Sequence, residues 1–353
     1  MLNKVALATS LALVATPNLA QEQRSPTQHL DTFEKLFGVT EGKRRNHTKG
    51  FCFEGEFTPV DSSVRELSNS PIFTETSKVY GRVSHKGGKA NPADNKPGHY
   101  GLAFKITTAD NSIHMMSMNT EHFFPTSTVA DFMAFLEAQA NGPVATKAFV
   151  TSHPEIQEIQ ANGPVATKAF VTSHPEIQEI QEIQEIQEIQ EIQEYKKYHA
   201  ALSDQLHPYE GATYNSINTF YLVNNQGKKT PVRWSFVPSG EHGIVKTPQA
   251  DFFLENMQAN LKKGGVSWDM VLTLAKPSDD ILNPHIKWSD DNKSMTVARL
   301  TVKQAIPESE GSCATMNFDP LAISKGFAPS EDPMLAARSA VYAVGLGRRL
   351  SEQ

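Results

Sequence analysis

Eight short runs dominated by β-branched and aromatic residues constrain this chain more than any other feature. They fall at 47–60, 78–85, 100–108, 113–119, 213–223, 230–237, 268–275 and 295–303, and Gly, Pro and Asn break them apart. Helical patterns interrupt them at 30–40, stopped by Gly38, and at 249–263, ended by Gly264-Gly265. A third, at 128–139, carries Val129, Phe132, Met133, Phe135 and Leu136 close to one face. Short antiparallel strands with helical excursions and a C-terminal helix predict an α+β fold: an antiparallel β-barrel of about eight strands with helices packed outside.

One block stands apart from this pattern. Residues 140–160, ANGPVATKAFVTSHPEIQEIQ, recur letter for letter at 161–181, and Glu-Ile-Gln then runs six times from Glu176 to Gln193. Identity this complete points to recent tandem duplication rather than to a drifted repeat fold. Without 158–193, Pro154-Glu155-Ile156-Gln157 joins Glu194-Tyr195 smoothly, so the block reads as an insert in a single domain spanning 21–353. In an α-helix three residues turn about 300°, so each isoleucine lags the last by ~60° and the series winds around the helix. No fixed apolar face forms, and a period of three does not suit a strand either. A solvated helix or a disordered excursion is expected, with a partner-binding stalk as the alternative. The insert holds seven glutamates and one lysine, the same −6 as the whole chain, so the remainder is balanced. A balanced remainder argues against a nucleic-acid surface.

The N-terminus reads as a secretory signal, residues 1–20. Lys4 supplies the positive charge, Val5 to Ala15 an apolar stretch too short to span a bilayer, and Asn18-Leu19-Ala20 a cleavage site before Gln21. A retained anchor is the alternative. No later stretch reaches ~18 apolar residues, so an exported, periplasmic protein without membrane contact after signal removal is expected. Cys52 and Cys313 form no CxxCH haem-attachment motif. They could make one disulfide in an oxidising compartment; two buried, unpaired small side chains are the expectation here.

Two stretches carry the chemistry. Arg44-Arg45-Asn46-His47-Thr48-Lys49-Gly50 sets a histidine between basic residues at the head of a strand. Arg338-Ser339-Ala340-Val341-Tyr342 puts an arginine and a tyrosine four apart, on one face of a helix. A fixed cation beside a tyrosine favours its phenolate, and phenolate oxygen is an axial ligand for haem iron.

Further stretches keep the same order along the chain: Arg82-Val83-Ser84, Gly101-Leu102-Ala103-Phe104-Lys105, Asn119-Thr120, Phe123-Phe124, Phe318-Asp319-Pro320 and Asp332-x-Met334-Leu335. Together, from about residue 30 to the C-terminus, they resemble the catalase superfamily, specifically its small exported catalase-related peroxidases. The resemblance implies a catalase-type barrel whose C-terminal helix carries the proximal ligand, and haem b as cofactor. Tyr342 would be the iron ligand, with Arg338 one turn earlier holding it ionised. His47 would be the acid–base residue and Ser84 the hydroxyl that orients its ring. Arg44, Arg82 and Arg349 would grip the haem propionates, since guanidinium binds carboxylate in two-pronged fashion. Phe123 would pack beside the haem.

The sequence departs from the family at one site position. Counted without gaps from Arg82 to Phe124, the family's distal asparagine falls on Met118, whose thioether donates no hydrogen bond to peroxide. Asn119 is one position further and would point to the opposite side of a regular strand; a one-residue bulge would restore it. Glu121-His122 replaces apolar family residues and makes the pocket entrance more polar. The expected function is a haem-dependent peroxidase acting on hydrogen peroxide or organic hydroperoxides with a small-molecule reductant, with weak disproportionation. The alternatives are a true catalase, a haem enzyme that rearranges lipid hydroperoxides, and a haem carrier without turnover. A monomer or small homo-oligomer is expected.

Overall fold

A computed structural model describes residues 24–96, 98–153 and 206–352. The segments read from sequence as a signal, 1–20, and as an insert, 158–193, lie outside the described residues. Strands β1 (Gly50–Pro59), β2 (Ser77–His85), β3 (Tyr100–Thr107) and β4 (Ile113–Asn119) form an antiparallel meander. After helices α2 (Val129–Ala140) and α3 (Pro143–Thr151) come β5 (Tyr214–Asn215), β6 (Phe220–Val223) and β7 (Lys229–Pro238). Helix α4 (Phe253–Lys263) leads into β8 (Val266–Leu274) and β9 (Ser294–Pro307). The short β10 (Phe327–Pro329) precedes the C-terminal helix α5 (Pro333–Ser351). β7 pairs with both β5 and β8, and β9 pairs with both β8 and β1, so eight strands close into a barrel. β6 and β10 extend the sheet beside β7.

The alternation that marks the strands fills the barrel. Phe51 and Phe53 of β1, Val83 of β2, Leu102 and Phe104 of β3, Met116 and Met118 of β4 and Trp268 and Met270 of β8 are all buried in one core. An eight-stranded barrel has an interior just wide enough for side chains to fill, and these side chains fill it. The opposite parity of each strand points outward, and that surface is where any site must be built.

Outside the barrel lies α1 (Pro26–Phe37), which packs against α2 and α5. It begins four residues before the sequence pattern suggests. The cause is a reciprocal cap: the Ser25 hydroxyl accepts from the Gln28 N–H while the Gln28 side chain accepts from the Ser25 N–H, with Pro26 at the first helical position. The helix ends at Gly38, which takes φ 79°. α3 was not expected. It lies in the first copy of the repeat and buries Val150 against Phe135 of α2.

The long polar loop after β2 is tied down by one carboxylate. Asp94 Oδ1 lies 2.7 Å from both His85 Nε2 and Lys49 Nζ, and Oδ2 accepts the backbone N–H groups of Phe252 and Phe253 at 2.8 and 2.9 Å. Burial alone would raise its pKa; the hydrogen bonds from His85, Lys49 and the two amides overcome that and hold it at about 2. Asp94→Ala leaves these donors unmatched and is expected to cost about 3 kcal/mol in urea unfolding. Because its folded pKa is depressed, Asp94 stabilises fully above its ordinary value of 3.8, and the contribution fades as pH falls from there toward about 2. The wild-type chain should therefore lose this increment between those pH values and Asp94→Ala should not. Parallel acid unfolding curves would refute the assignment.

Candidate active site

Register decides which side chains meet. Ser84 of β2 is opposite Gly101 of β3, and Gly101 is opposite Asn119 of β4. Cross-strand partners point to the same face. Asn119 therefore shares the outward face with Ser84, whereas Met118 shares the interior row with Leu102 and Val83 and is buried in the core. This corrects the ungapped count. β3 and β4 pair without a register shift, so no bulge is needed; the turns between the strands set the parity, and residue counting does not see it. Among the described residues the Asn119 amide has no hydrogen-bond partner.

His47 lies over this row. Its Nδ1 is 3.0 Å from Ser84 Oγ. Its backbone is left-handed, with φ 59°, a conformation that costs a non-glycine residue energy and needs outside support. Two groups supply it: Asn46 Oδ1 accepts from the His47 N–H at 2.9 Å, and Arg82 Nη1 donates to the His47 carbonyl at 2.8 Å. Gly101 makes the space. A Cβ there would lie 2.7 Å from two ring atoms of His47 and 3.1 Å from Ser84 Oγ. Burial, then the cations Arg82 and Lys86, push the His47 pKa down to about 3, with Glu121 opposing. The imidazole is neutral at neutral pH. In the tautomer that donates Nδ1–H to Ser84, its Nε2 carries a free lone pair.

Beside His47 a cluster of cations converges on Glu308, just past β9. Arg82 Nε donates to Glu308 Oε1 at 2.7 Å, Arg44 Nη1 to Oε1 at 2.8 Å, and Lys43 Nζ to Oε2 at 3.0 Å. Arg82 Nη2 also reaches the Thr48 carbonyl at 3.0 Å. Burial would raise the Glu308 pKa; Arg82 and Arg44 reverse that and hold it at about 2. Arg44 is depressed by burial and then by Arg82 and Arg349. The second guanidinium nitrogen of Arg44 donates to the carbonyls of Cys313 and Met316 at 2.8 and 3.0 Å, and Arg349 Nη2 donates to the Met316 carbonyl at 3.1 Å. Arg349 Nε is buried without an acceptor among the described residues. Sequence reading named the three arginines and missed Glu308; a lone glutamate after a strand carries no signal until its cationic neighbours are known.

Arg44 and Arg82 share one carboxylate with Lys43, and Arg349 has none, with a buried N–H left over among the described residues, so the cluster is short of negative charge. A dianionic porphyrin edge fits that deficit. Arg82 is largely engaged by Glu308, His47 and Thr48, so Arg44 and Arg349 are the residues with capacity for propionates.

The C-terminal helix lines up Leu335, Arg338, Tyr342 and Arg349 at spacings of three, four and seven, along one stripe. Tyr342 packs against the buried cluster of Phe318 and the cysteine pair, as do Ala103 and Met316. Its hydroxyl has no hydrogen-bond partner among the described residues. The Arg338 guanidinium is directed to Asn218 Oδ1 and, at 3.4 Å, to the Ser117 carbonyl, not to the Tyr342 hydroxyl. Phe123 is half-buried in the turn after β4, and no ring pairing or hydrogen bond links it to His47 or the arginines.

Cys52 and Cys313 form a disulfide, with Cα atoms 5.6 Å apart. The expectation of two unpaired side chains is corrected. Cys52 points outward from β1 directly under the turn 311–316, a proximity that 261 residues of separation conceal. The disulfide pins the turn whose carbonyls hold Arg44 and Arg349.

No protein-family model matches the chain. A catalase-related peroxidase of Synechococcus elongatus is 29% identical, covering 98% of this chain and 95% of that one. A catalase-related peroxidase of Mycolicibacterium paratuberculosis is 25% identical, covering 92% and 95%. Catalase A of Emericella nidulans is 24% identical over 84% of this chain and 39% of its own length. Among solved structures, a fungal catalase superposes with a TM-score of 0.66 at 17% identity, covering 99% of this chain and 67% of that one.

Replacing both Cys52 and Cys313 by alanine frees the turn 311–316 from β1. Haemin titration of the double variant, followed by absorbance, should show affinity weakened by about tenfold, equivalent to roughly 1.4 kcal/mol. Unchanged affinity would mean that the turn holds its carbonyls without the disulfide.

Proposed function

The chain belongs to the catalase superfamily, and on that footing we propose that it is a haem peroxidase that reduces hydrogen peroxide or an organic hydroperoxide with a small-molecule electron donor. Haem b is the form proposed, held without covalent attachment. Tyr342 would supply the oxygen ligand to its iron, and Arg44 and Arg349 the contacts to its propionates. When bound, the haem supplies the two electrons that the peroxide bond takes up on breaking.

The observation that carries this reading is the His47–Ser84 pair over Gly101. A neutral His47 accepts the peroxide proton at Nε2 and returns it to the far oxygen, which leaves as water or alcohol. Ser84 fixes the ring and the tautomer; Arg82, through the His47 carbonyl, fixes the backbone. A carrier without turnover would have no use for a strained, braced and neutral base. Disproportionation of hydrogen peroxide is the second reading. It is favoured by Asn119, whose free amide shares the face of Ser84 and offers a second peroxide a hydrogen-bond donor. The Met118 argument for weak disproportionation falls away, because Met118 is inside the barrel. Export to the periplasm is supported by the N-terminal pattern and by the disulfide, which suits an oxidising compartment.

His47→Ala should keep haem bound and slow the reaction with peroxide by about 10³-fold in stopped-flow absorbance. Gly101→Ala should slow it by about 10²-fold, because the new methyl displaces the ring without removing it. Tyr342→Phe should weaken or abolish haem binding. The wild-type rate should stay flat at neutral pH and fall only as pH approaches about 3, where His47 takes up a proton. A rate that halves near pH 6.5 would remove the buried His47 as the base.

A further inference from the structure

The chain that carries His47 runs straight on into the wall of a second space. This is a cavity of about 350 Å³, large enough for a small organic molecule. Thr48, Lys49 and Gly50, the residues directly after His47, form one side of it. Ala90 of the loop after β2, Leu254 at the start of α4, and Pro307 and Ser309 at the end of β9 close the others. None of His47, Ser84, Asn119 and Tyr342 lines it, so a molecule there does not occupy the place of the peroxide.

The lining is of two kinds. Phe51, Phe253, Leu254 and Pro307 make it partly apolar, and Lys43, Lys49 and Glu308 bring charge. The carboxylates are already matched: Asp94 and Asp251 by Lys49 at 2.7 and 3.1 Å, and Glu308 by Lys43, Arg44 and Arg82. Lys49 directs its ammonium to Asp94, Asp251 and the Pro92 carbonyl, which is all that three N–H groups can serve. Lys43 differs. Among the described residues its ammonium has one acceptor, Glu308 Oε2, and its side chain is 43% exposed. Two of its N–H groups are therefore open to a ligand. Lys43, Arg44, Lys49 and Arg82 together outnumber Asp94, Asp251 and Glu308, so an added anion is welcome.

A ligand that answers this lining has a carboxylate for the Lys43 ammonium and a flat body for the Leu254 and Pro307 side. Glu308 links the cavity to the chemistry. The carboxylate in its wall is the one that holds Arg44, a residue with capacity for a haem propionate. We propose that this cavity is the site of the electron donor, and that the donor is a small aromatic acid bearing a phenolic hydroxyl. The inference rests on the peroxidase reading and names the class of its reductant. Each donor gives up one electron and its phenolic proton. Two donors restore the two electrons that breaking the peroxide bond consumes, and their two protons leave on the peroxide oxygens. The products are two phenoxyl radicals, one water, and a second water or an alcohol.

The test compares 3,4-dihydroxybenzoate with catechol, the same ring without the carboxylate, as donors to the haem-loaded chain at saturating hydrogen peroxide. Ala90→Trp and Ser309→Trp, both at exposed positions, fill the cavity from two different walls. Either should raise KM for the acid by about tenfold, while the peroxide step, read by stopped flow before donor is added, keeps its rate. Lys43→Gln should raise KM for the acid by about tenfold and leave that for catechol within about twofold. Binding without turnover is read by isothermal titration calorimetry of the acid into the haem-loaded chain without peroxide, and should weaken in parallel in all three variants. Unchanged KM and binding in both tryptophan variants, equal effects of Lys43→Gln on the two donors, or a wild-type KM for catechol no higher than for the acid overturn the proposal. A wild-type chain that binds the acid, loses it in the tryptophan variants and turns over no peroxide sinks the peroxidase reading instead, and the cavity stands as a site for aromatic acids.

Discussion

The Glu308 carboxylate is the interaction on which the rest of this site depends. It receives Lys43 and Arg44 from the segment before β1 and Arg82 from β2, and it sits at the end of β9, the strand that closes against β1. Burying two arginines side by side is prohibitive without a counter-charge; with one shared carboxylate it becomes a scaffold. Arg82 then has nitrogens left to brace the carbonyls of His47 and Thr48. The strained backbone of His47 is thus supported by the same guanidinium that Glu308 anchors. One electrostatic knot fixes His47, the cation cluster and the closing strands relative to one another.

A filled barrel interior forces the chemistry outward. Aromatic and methionine side chains occupy the lumen, so the candidate site uses the other parity of β2, β3 and β4, roofed by α5 and by the turn that the disulfide holds. Two consequences follow from strand geometry alone. Small residues are required where the roof comes close, as at Gly101 beneath the imidazole. Residues two apart in sequence serve the same surface, which is why Arg82 and Ser84 of β2 both face His47.

Much of this architecture was legible in the sequence, and what was not fails for identifiable reasons. Alternation located the barrel strands to within a few residues, since each has one face buried in the core. The segment 213–223 was read as one strand but is two, because Ile217 at φ 63° and its neighbours break the extended run. The start of α1 was written in Ser25-Pro26-x-Gln28, a capping signal that the apolar pattern alone does not show. The motif around His47 and the arginines led to the site. Facing did not follow from it: Met118 and Asn119 exchange roles because turn lengths set parity, and parity cannot be counted through turns of unknown geometry. Contacts over hundreds of residues, Cys52 with Cys313 and Arg44 with Glu308, leave no local trace at all.

The charge balance around His47 explains why its arrangement suits a base. Burial is the largest cause of its depressed pKa, with Arg82, Lys86 and Arg44 adding to it and only Glu121 opposing. A dianionic porphyrin held by Arg44 and Arg349 would cancel part of the cationic contribution and shift His47 upward. It would also cover more of the ring and strengthen the burial contribution, which acts in the other direction. Burial, the largest cause of the depression in the chain itself, holds the imidazole neutral at neutral pH. The residue can then both take a proton and give it back, without first having to lose one to solvent.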